Sequence, residues 1–268
     1  MGHAYSAWLN ARTAQLHHGR FLVRIEDIDT TRCTPQLMQH CLEDLAWLGL
    51  EWEVPVRFQS HHLPDYQAAL ARLRAQGLVY PCFCSRKEIA AASDAQDPDG
   101  APLYPGTCRA LPPHEVISRM NRGEAHSWRL NMHDALRICP PPYMYQVFAL
   151  DTLASHRVSA DPARWGDAIL ARKEIPTSYH LSVVLDDAAQ GITHVLRGCD
   201  LEAATDLHVL LQMLLGLPSP HYHHHALLRD PCGEKLAKSK SSTSLAQWRA
   251  EGATPQEILG KIERWMQQ

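Results

Sequence analysis

Residues 21–29 read Phe-Leu-Val-Arg-Ile-Glu-Asp-Ile-Asp, an apolar run that ends in carboxylates. Such a run is typical of a strand buried in a parallel sheet, and open α/β sheets bind their ligands at the carboxyl ends of such strands. A carboxylate at this position can hold an ammonium group. A solvated acidic turn is an equally good interpretation of the same residues.

The segments on either side alternate between helix and strand patterns. Apolar spacing predicts helices over residues 3–18, 35–49, 63–76 and 201–215, and a last helix after Thr254, which is a plausible cap. Short apolar runs predict strands near residues 56–59, 147–150, 181–185 and 192–197. This alternation predicts an α/β fold with a doubly wound, Rossmann-like parallel sheet and a short helical C-terminal segment.

Composition and charge restrict the class of protein. The 268 residues are 45% hydrophobic and 21% charged, as in ordinary globular domains, and the net charge is −3. This charge argues against a protein coated in positive charge, although a local basic face is compatible with it. The longest apolar run, residues 207–217, is too short to span a membrane, and residues 1–5 lack the pattern of a secretory signal. We therefore expect a cytoplasmic protein without membrane partners.

Residues 80–135 differ in amino-acid composition from the segments around them. They contain Cys82 and Cys84, then a stretch rich in Asp, Ala, Gly and Pro, and then Cys108. Two cysteines separated by one residue can hold one metal ion from a tight turn. Packed thiols are the alternative. We predict an insertion at 80–135 between two catalytic halves, 1–79 and 136–216, followed by a lysine loop and helices at 217–268.

Two further segments suit phosphate chemistry. Lys235, Lys238 and Lys240 lie beside serines in a glycine-containing loop, and lysines there can neutralise charge on a leaving pyrophosphate. Gly2 and His3 open the first helix, whose free amides favour anions. A solvated basic turn and an ordinary helix start are the alternatives. The histidines at 221–225 are interpreted as strand and turn residues, because adjacent strand side chains cannot all face one ion.

Five segments in order resemble class I aminoacyl-tRNA synthetases of the glutamyl/glutaminyl branch. The segment Lys235-Leu236-Ala237-Lys238-Ser239 resembles their Lys-Met-Ser-Lys-Ser motif, with Ala237 where serine is usual, and Gly2-His3 resembles the end of their His-Ile-Gly-His motif. Residues 24–29, 176–187 and 194–200 are similar to further blocks of that branch. Because little chain follows Ser239, an anticodon-binding region is not expected. With the cysteine pattern, this makes the chain similar to the glutamyl-queuosine tRNA(Asp) synthetases.

The resemblance implies a ligase that activates L-glutamate with ATP and Mg²⁺ and transfers it to the queuosine base of tRNA(Asp), acting as a monomer. It implies the following roles: glutamate binding by Glu26, Tyr179 and Arg197; ATP binding by Gly2, His3 and Lys238; catalysis by His3, Lys235 and Lys238; and structural Zn²⁺ held by Cys82, Cys84, Tyr104 and Cys108. Tyr104 enters this set only through the family pattern.

The sequence departs from the family at its start. The family begins with a strand of the form Arg-Phe-Ala-Pro-Ser-Pro-Thr-Gly in the middle of the sheet, whereas this sequence begins at Met1-Gly2-His3. We expect a start assigned too late or a truncated chain, because Glu26, Tyr179 and Arg197 are present. The alternatives are a truncated glutamyl-tRNA synthetase that charges the tRNA 3′ end and a non-catalytic tRNA-binding protein.

Overall fold

The computed structural model describes residues 1–228 and 244–266. Within these ranges the helices are α1 (Gly2–Leu16), α2 (Pro35–Trp47), α3 (Leu63–Ala75), α4 (Arg86–Ala91), α5 (Pro113–Asn121), α6 (Met132–Ile138), α7 (Tyr179–Ala189), α8 (Ala204–Leu215), α9 (Leu245–Ala250) and α10 (Pro255–Met266). The strands are β1 (Leu22–Ile25), β2 (Glu53–Phe58), β3 (Val79–Cys82), β4 (Ser127–Leu130), β5 (Met144–Phe148), β6 (Ser155–Ser159), β7 (Ile169–Ala171), β8 (His194–Gly198) and β9 (His221–His225).

Parallel pairing confirms the α/β prediction in part. Strand β1 pairs with β2, and β9 pairs with both β5 and β8, all in parallel. The described strands form three sheets rather than the single doubly wound sheet that was predicted: β1-β2, β3-β4-β7 and β6-β5-β9-β8. The division arises at β1 and β8. Each of these strands forms an edge of its sheet, and no described strand pairs with it on the other side.

Side chains connect the parts that backbone pairing leaves separate. The Asn10 side chain of α1 donates to the Leu196 carbonyl of β8 across 2.9 Å. Arg24 of β1 donates to Asp187 of α7 across 2.9 Å. Helix α1 is therefore attached to β8, and helix α7 is attached to β1.

Most predicted helices form, and their capping residues explain where they begin. The Thr34 hydroxyl accepts from the Leu37 amide at the start of α2. At the start of α10, Thr254 and Glu257 each accept from the other's backbone amide. This reciprocal arrangement is a capping box, and it confirms the prediction for Thr254.

The strand predicted at residues 181–185 is wrong. These residues lie in α7, which begins after Ser178, whose hydroxyl accepts from the Leu181 amide across 3.4 Å. The helix is buried on most of its sides, so its apolar residues run together and do not show a helical period. By contrast, the prediction of a strand through the histidines at 221–225 is confirmed by β9.

The largest core lies where α7 and α8 pack beside β7 and β9. Leu170, Leu181, Leu207 and Leu210 are each 0% exposed there. A second core joins α1 to α10 and to Leu196 of β8, so both ends of the described chain pack near this strand. A third and smaller core surrounds Cys82 and Cys108.

The segment predicted as an insertion shares a sheet with the residues that follow it. Strand β4 pairs with β3 on one side and with β7 on the other. The predicted boundaries at residues 80 and 135 stay a prediction. None of the helices in residues 1–228 and 244–266 combines the length and the apolar character that a membrane crossing requires.

Candidate active site and metal centre

Arg197, near the end of β8, is a buried cation with neutral partners. The residue is only 8% exposed. Nη2 donates to the Thr205 hydroxyl across 2.8 Å, and Nη1 donates to the Tyr179 hydroxyl across 3.3 Å. Among the described residues, no carboxylate oxygen lies within 4.0 Å of an Arg197 side-chain nitrogen, the distance at which an ion pair would form. Burying a charge without an opposite charge is costly, so this guanidinium favours an anionic ligand.

Three histidines surround the same guanidinium. His208 and His224 lie 3.3 and 3.5 Å from its nitrogens, and His180 lies 3.2 Å from His208. Burial, reinforced by the positive charge of Arg197, lowers the pKa of His180 and of His224 to about 4, and lowers the pKa of His208 well below its usual value. The three rings are therefore neutral at pH 7, and Arg197 supplies the positive charge.

Tyr179 is the first residue of α7 and faces Arg197. The Ser178 cap fixes the start of this helix and hence the position of the tyrosine. Burial raises the pKa of the Tyr179 phenol to about 12, while Arg197 acts against that rise. The hydroxyl stays protonated at neutral pH. It accepts from Arg197 and can donate its own proton to a bound anion.

Glu26 lies directly after β1 and supplies the negative side of the site. Its side chain is 44% exposed, and Oε1 lies 3.8 Å from Arg24 Nη2. Desolvation by the surrounding protein raises the pKa of Glu26, as do Asp187 and Asp186, whereas Arg24 and Arg197 lower it. The charge of Glu26 also raises the pKa of Tyr179. Glu26 is therefore close enough to Tyr179 and Arg197, the other two predicted glutamate contacts, for its charge to act on the tyrosine and for Arg197 to act on its own pKa.

Behind Glu26, Arg24 connects β1 to α7. Its Nη1 donates to Asp187 and to the Gln190 amide oxygen, each across 2.9 Å. Its Nη2 points to Glu26. The arginine thus fixes the carboxylate side of the site relative to the helix that carries Tyr179.

Asp186 is the centre of a second polar network below the site. It is fully buried and accepts from Arg57 Nε and Gln59 Nε2 at 2.8 Å and from the Tyr66 hydroxyl at 2.9 Å. Its partners belong to β2, the turn after it and α3, so one carboxylate connects three segments to α7. This network was not predicted from the sequence. Two carboxylates after an apolar run, together with a lone arginine inside the apolar run of β1, were the available signal.

The predicted phosphate-binding residues are placed only in part. Gly2 and His3 form the first turn of α1, as predicted, and this helix has no side-chain cap at its start. Ser6 of the next turn lies 3.1 Å from His225 Nε2, which puts this end of α1 beside the end of β9. Lys235 and Lys238 lie outside the described residues.

Cys82, Cys84 and Cys108 form the predicted thiol cluster. Their sulfur atoms all lie within 4.8 Å of one another, and Cys84 Sγ is 3.5 Å from Cys108 Sγ and 3.7 Å from the Tyr104 hydroxyl. The Phe83 amide donates to Cys108 Sγ across 3.4 Å. Three sulfurs and one oxygen at these separations are a donor set that fits a tetrahedral metal ion. The cluster can therefore hold a metal.

Comparison with known families matches residues 1–267 to the tRNA synthetases class I (E and Q), catalytic domain. The chain belongs to this family. It is therefore a class I tRNA synthetase catalytic domain and a ligase. Its helices and parallel strands are those of this catalytic domain.

Several relatives of this synthetase domain carry a more specific name. A protein of Rhodobacter capsulatus named glutamyl-Q tRNA(Asp) synthetase is 46% identical, over 96% of this chain and 93% of its own length. One of the same name from Symbiobacterium thermophilum is 39% identical, over 97% of this chain and 79% of its own length. A protein of Nitrosococcus oceani named glutamate–tRNA ligase 2 is 36% identical, but the match covers 56% of its length.

Solved structures show the same fold. A glutamate tRNA ligase from Elizabethkingia meningosepticum in complex with its amino acid matches with a TM-score of 0.73 at 23% identity, over 97% of this chain. Glutamate-tRNA synthetase from Elizabethkingia anophelis gives a TM-score of 0.74 at 22% identity. The synthetase domain spans 57% and 58% of these two solved chains.

Proposed function

We propose that this synthetase domain activates L-glutamate with ATP and transfers the glutamyl group to the queuosine base at the anticodon wobble position of tRNA(Asp). The observation that carries the proposal is the buried Arg197 guanidinium, which has no carboxylate partner among the described residues and shares its site with Glu26. The names of the Rhodobacter and Symbiobacterium relatives support the choice of tRNA.

The charges of the site match those of glutamate. Arg197 and the Tyr179 hydroxyl suit the side-chain carboxylate, because a guanidinium can pair with both carboxylate oxygens at once. Glu26 suits the amino group. With both ends of the molecule held, the α-carboxylate is left for the reaction. Glutamine lacks the charge for Arg197, and aspartate is one methylene too short to reach both groups.

The proposed activation is an in-line displacement. One α-carboxylate oxygen of glutamate attacks the α-phosphorus of ATP, and the bond from that phosphorus to the bridging oxygen breaks. Glutamyl-adenylate forms and pyrophosphate leaves with the electron pair of that bond. The start of α1 at Gly2 and His3 suits phosphate oxygens through the positive end of the helix dipole, and Mg²⁺ accompanies ATP. Lys235 and Lys238 are proposed to neutralise the leaving pyrophosphate.

The proposed transfer completes the sequence. A queuosine hydroxyl oxygen attacks the acyl carbon of the adenylate, AMP leaves, and the hydroxyl proton passes to a phosphate oxygen or to water. In both steps this chain contributes positioning and charge stabilisation and forms no covalent bond to glutamate.

We also propose that Cys82, Cys84, Tyr104 and Cys108 hold one structural zinc ion. The small core around these residues contains few apolar side chains, so a metal bound there would supply much of the local stability. Bound as thiolates, the cysteines require reducing conditions, which supports a cytoplasmic location.

A second candidate acceptor is the 3′ end of a tRNA. The Nitrosococcus relative named glutamate–tRNA ligase 2 favours it, although the match leaves much of that protein uncovered. A tRNA-binding protein without catalysis is the remaining alternative. The position of labelled glutamate in the tRNA product distinguishes the two acceptors. Binding of tRNA without activation of glutamate would identify the non-catalytic protein.

The first test is glutamate-dependent exchange between ATP and pyrophosphate with tRNA omitted. We expect exchange with glutamate and none with glutamine or aspartate. Arg197→Met should lower the exchange rate by about 100-fold or more, whereas Arg157→Met, a change at an exposed arginine on β6, should leave it unchanged. Exchange that survives Arg197→Met would contradict the proposal.

A further inference from the structure

A cavity lies outside the proposed glutamate site. It encloses about 770 Å³ between α3, the residues after α5, strand β4 and residues 171–176. Pockets that bind small ligands commonly enclose roughly 300–1,000 Å³. Among the described residues assigned to glutamate or ATP, namely Gly2, His3, Glu26, Tyr179 and Arg197, none lines this cavity.

One wall of this cavity is a stacked pair of side chains. The Arg74 guanidinium lies 3.9 Å from the ring centroid of Trp128, and His126 packs edge-on against the same ring at 5.1 Å. Arg74 is exposed, and all three residues line the cavity. Guanidinium planes and aromatic rings are the surfaces on which unstacked nucleobases pack.

The adjoining wall carries further positive charge. Lys173 Nζ donates to the Phe83 carbonyl across 3.0 Å, which fixes the ammonium beside the thiol cluster and leaves two of its protons for a ligand. Within residues 1–228 and 244–266, the exposed Arg172 side chain makes no hydrogen bond or ion pair. Both side chains line the cavity, so they can meet a phosphate.

The acidic side chains of the cavity do not cancel this charge. Glu124 is paired with Arg119 and Arg122, at 3.5 and 3.7 Å. Glu174 is the other carboxylate of the lining. Three cations, Arg74, Arg172 and Lys173, therefore outweigh the acidic groups that face the cavity.

The cavity adjoins the proposed glutamate site through one segment. Residues 172–178 run from the cavity wall to the Ser178 cap of α7, which carries Tyr179. The Arg172 amide donates to the Ile175 carbonyl across 2.9 Å, so this segment turns back sharply. The cavity wall and the proposed amino-acid site are therefore joined by one short, turned segment.

We propose that this cavity binds one unpaired nucleotide of the tRNA, with its base stacked on Arg74 above Trp128 and its phosphate held by Arg172 and Lys173. The nucleotide is unpaired because bases inside an RNA duplex do not expose their faces. The identity of the RNA rests on the proposed function, under which nucleotides of the anticodon loop flank the reacting base. The charge and stacking geometry do not depend on it.

The test measures the Kd of queuosine-containing tRNA(Asp) for the full chain between about 50 and 200 mM NaCl. Arg172→Gln and Lys173→Gln should each reduce the slope of log Kd against log salt by about one unit. Arg74→Leu should weaken binding about 10-fold. Arg74→Lys keeps the charge and loses the plane, so it should lose nearly as much affinity while its salt slope stays close to that of the wild type. Arg157→Gln is the control, and the thermal unfolding of each variant shows that it folds.

Binding by the Arg74, Arg172 and Lys173 variants that matches the wild type would overturn the inference, as would an equal loss in Arg157→Gln. Glutamate-dependent pyrophosphate exchange by the unaltered chain is measured separately. If exchange is absent but tRNA binding still depends on the cavity, the proposed activation fails and the RNA site stands. If exchange is present and the cavity variants bind normally, the RNA site fails alone.

Discussion

The Arg197 guanidinium donates to the Tyr179 hydroxyl across 3.3 Å, joining the end of β8 to the start of α7. The two residues are 18 positions apart in the sequence, on a helix and on the strand that follows it, and the fold places them side by side in a buried site. Because burial keeps the tyrosine protonated and the nearby histidines neutral, the pair presents one positive charge and one hydroxyl proton. We propose that this part of the site selects an anion.

Replacing Arg197 with methionine should raise the stability of the protein and lower its activity. Arg197→Met removes a buried charge that has no described carboxylate partner, so the free energy of unfolding without ligand should rise by about 1 kcal/mol. Glutamate-dependent exchange should fall by about 100-fold or more, since a buried charge contact to the ligand is lost. Chemical denaturation and exchange kinetics measure the two effects.

Arg197→Lys is the control for that prediction. It keeps the charge, so it should not raise the stability, and it should still lose activity because an ammonium cannot form the same two-pronged pair. A less stable Arg197→Met protein would contradict our description of this guanidinium as a buried cation without a carboxylate partner.

The histidines around Arg197 should make the fold sensitive to acid. The pKa values of His180 and His224 are about 4 in the folded protein, against 6.5 for an unperturbed histidine. The unfolded chain therefore binds more protons below about pH 6.5. Stability is full above that pH and falls as the pH drops toward about 4, by up to about 1.4 kcal/mol per pH unit for each histidine.

Urea unfolding at a series of pH values measures this loss. His180→Asn should reduce the slope of stability against pH by about one proton, whereas His114→Asn, a change at an exposed residue of α5, should leave it unchanged. Equal slopes for the wild type and His180→Asn would show that His180 titrates normally in the folded protein.

The Asp186 network should be a main determinant of stability. Asp186→Asn removes the charge that Arg57 pairs with and replaces an acceptor by a donor in a fully buried site. We expect a loss of about 3–5 kcal/mol. Tyr66→Phe deletes one of the same hydrogen bonds and should cost about 1 kcal/mol. If Asp186→Asn lowers the free energy of unfolding no more than Tyr66→Phe does in denaturation experiments, Asp186 does not connect the three segments to α7 in the way proposed.

The thiol cluster should bind zinc stoichiometrically. We expect about one zinc ion per chain by elemental analysis, and almost none in Cys108→Ser, because a thiolate ligand is lost. Removing the metal with a chelator should lower the melting temperature. Cys139→Ser alters a cysteine outside the cluster and should retain the metal. Full zinc content in Cys108→Ser would contradict the proposed site.

Local patterns in the sequence sufficed for several elements of the fold and site. The apolar run before Glu26 predicted β1 and the position of the carboxylate, and threonine before proline predicted the start of α10. Cys82 and Cys84 predicted a cluster that Cys108 completes. Each of these predictions depends on residues close together in the sequence or on a residue type that can bind metal.

The remaining features depend on contacts between distant segments. Helix α7 was predicted as a strand because burial on most of its sides removes the helical period. The alternation of side chains in β9 was predicted, and it directs His224 to Arg197 and His223 to the Phe148 carbonyl. The role of His224 could not be predicted, because it follows from the pairing of β9 with β8.

The most direct test of the account is to follow labelled glutamate into tRNA. The chain is incubated with ATP, labelled glutamate and tRNA(Asp) that carries queuosine, and the 3′ end of the tRNA is then removed. We predict that the label stays with the fragment that contains the anticodon, and that tRNA(Asp) without queuosine takes up none. Label that leaves with the 3′ end, or equal labelling without queuosine, would contradict the central claim.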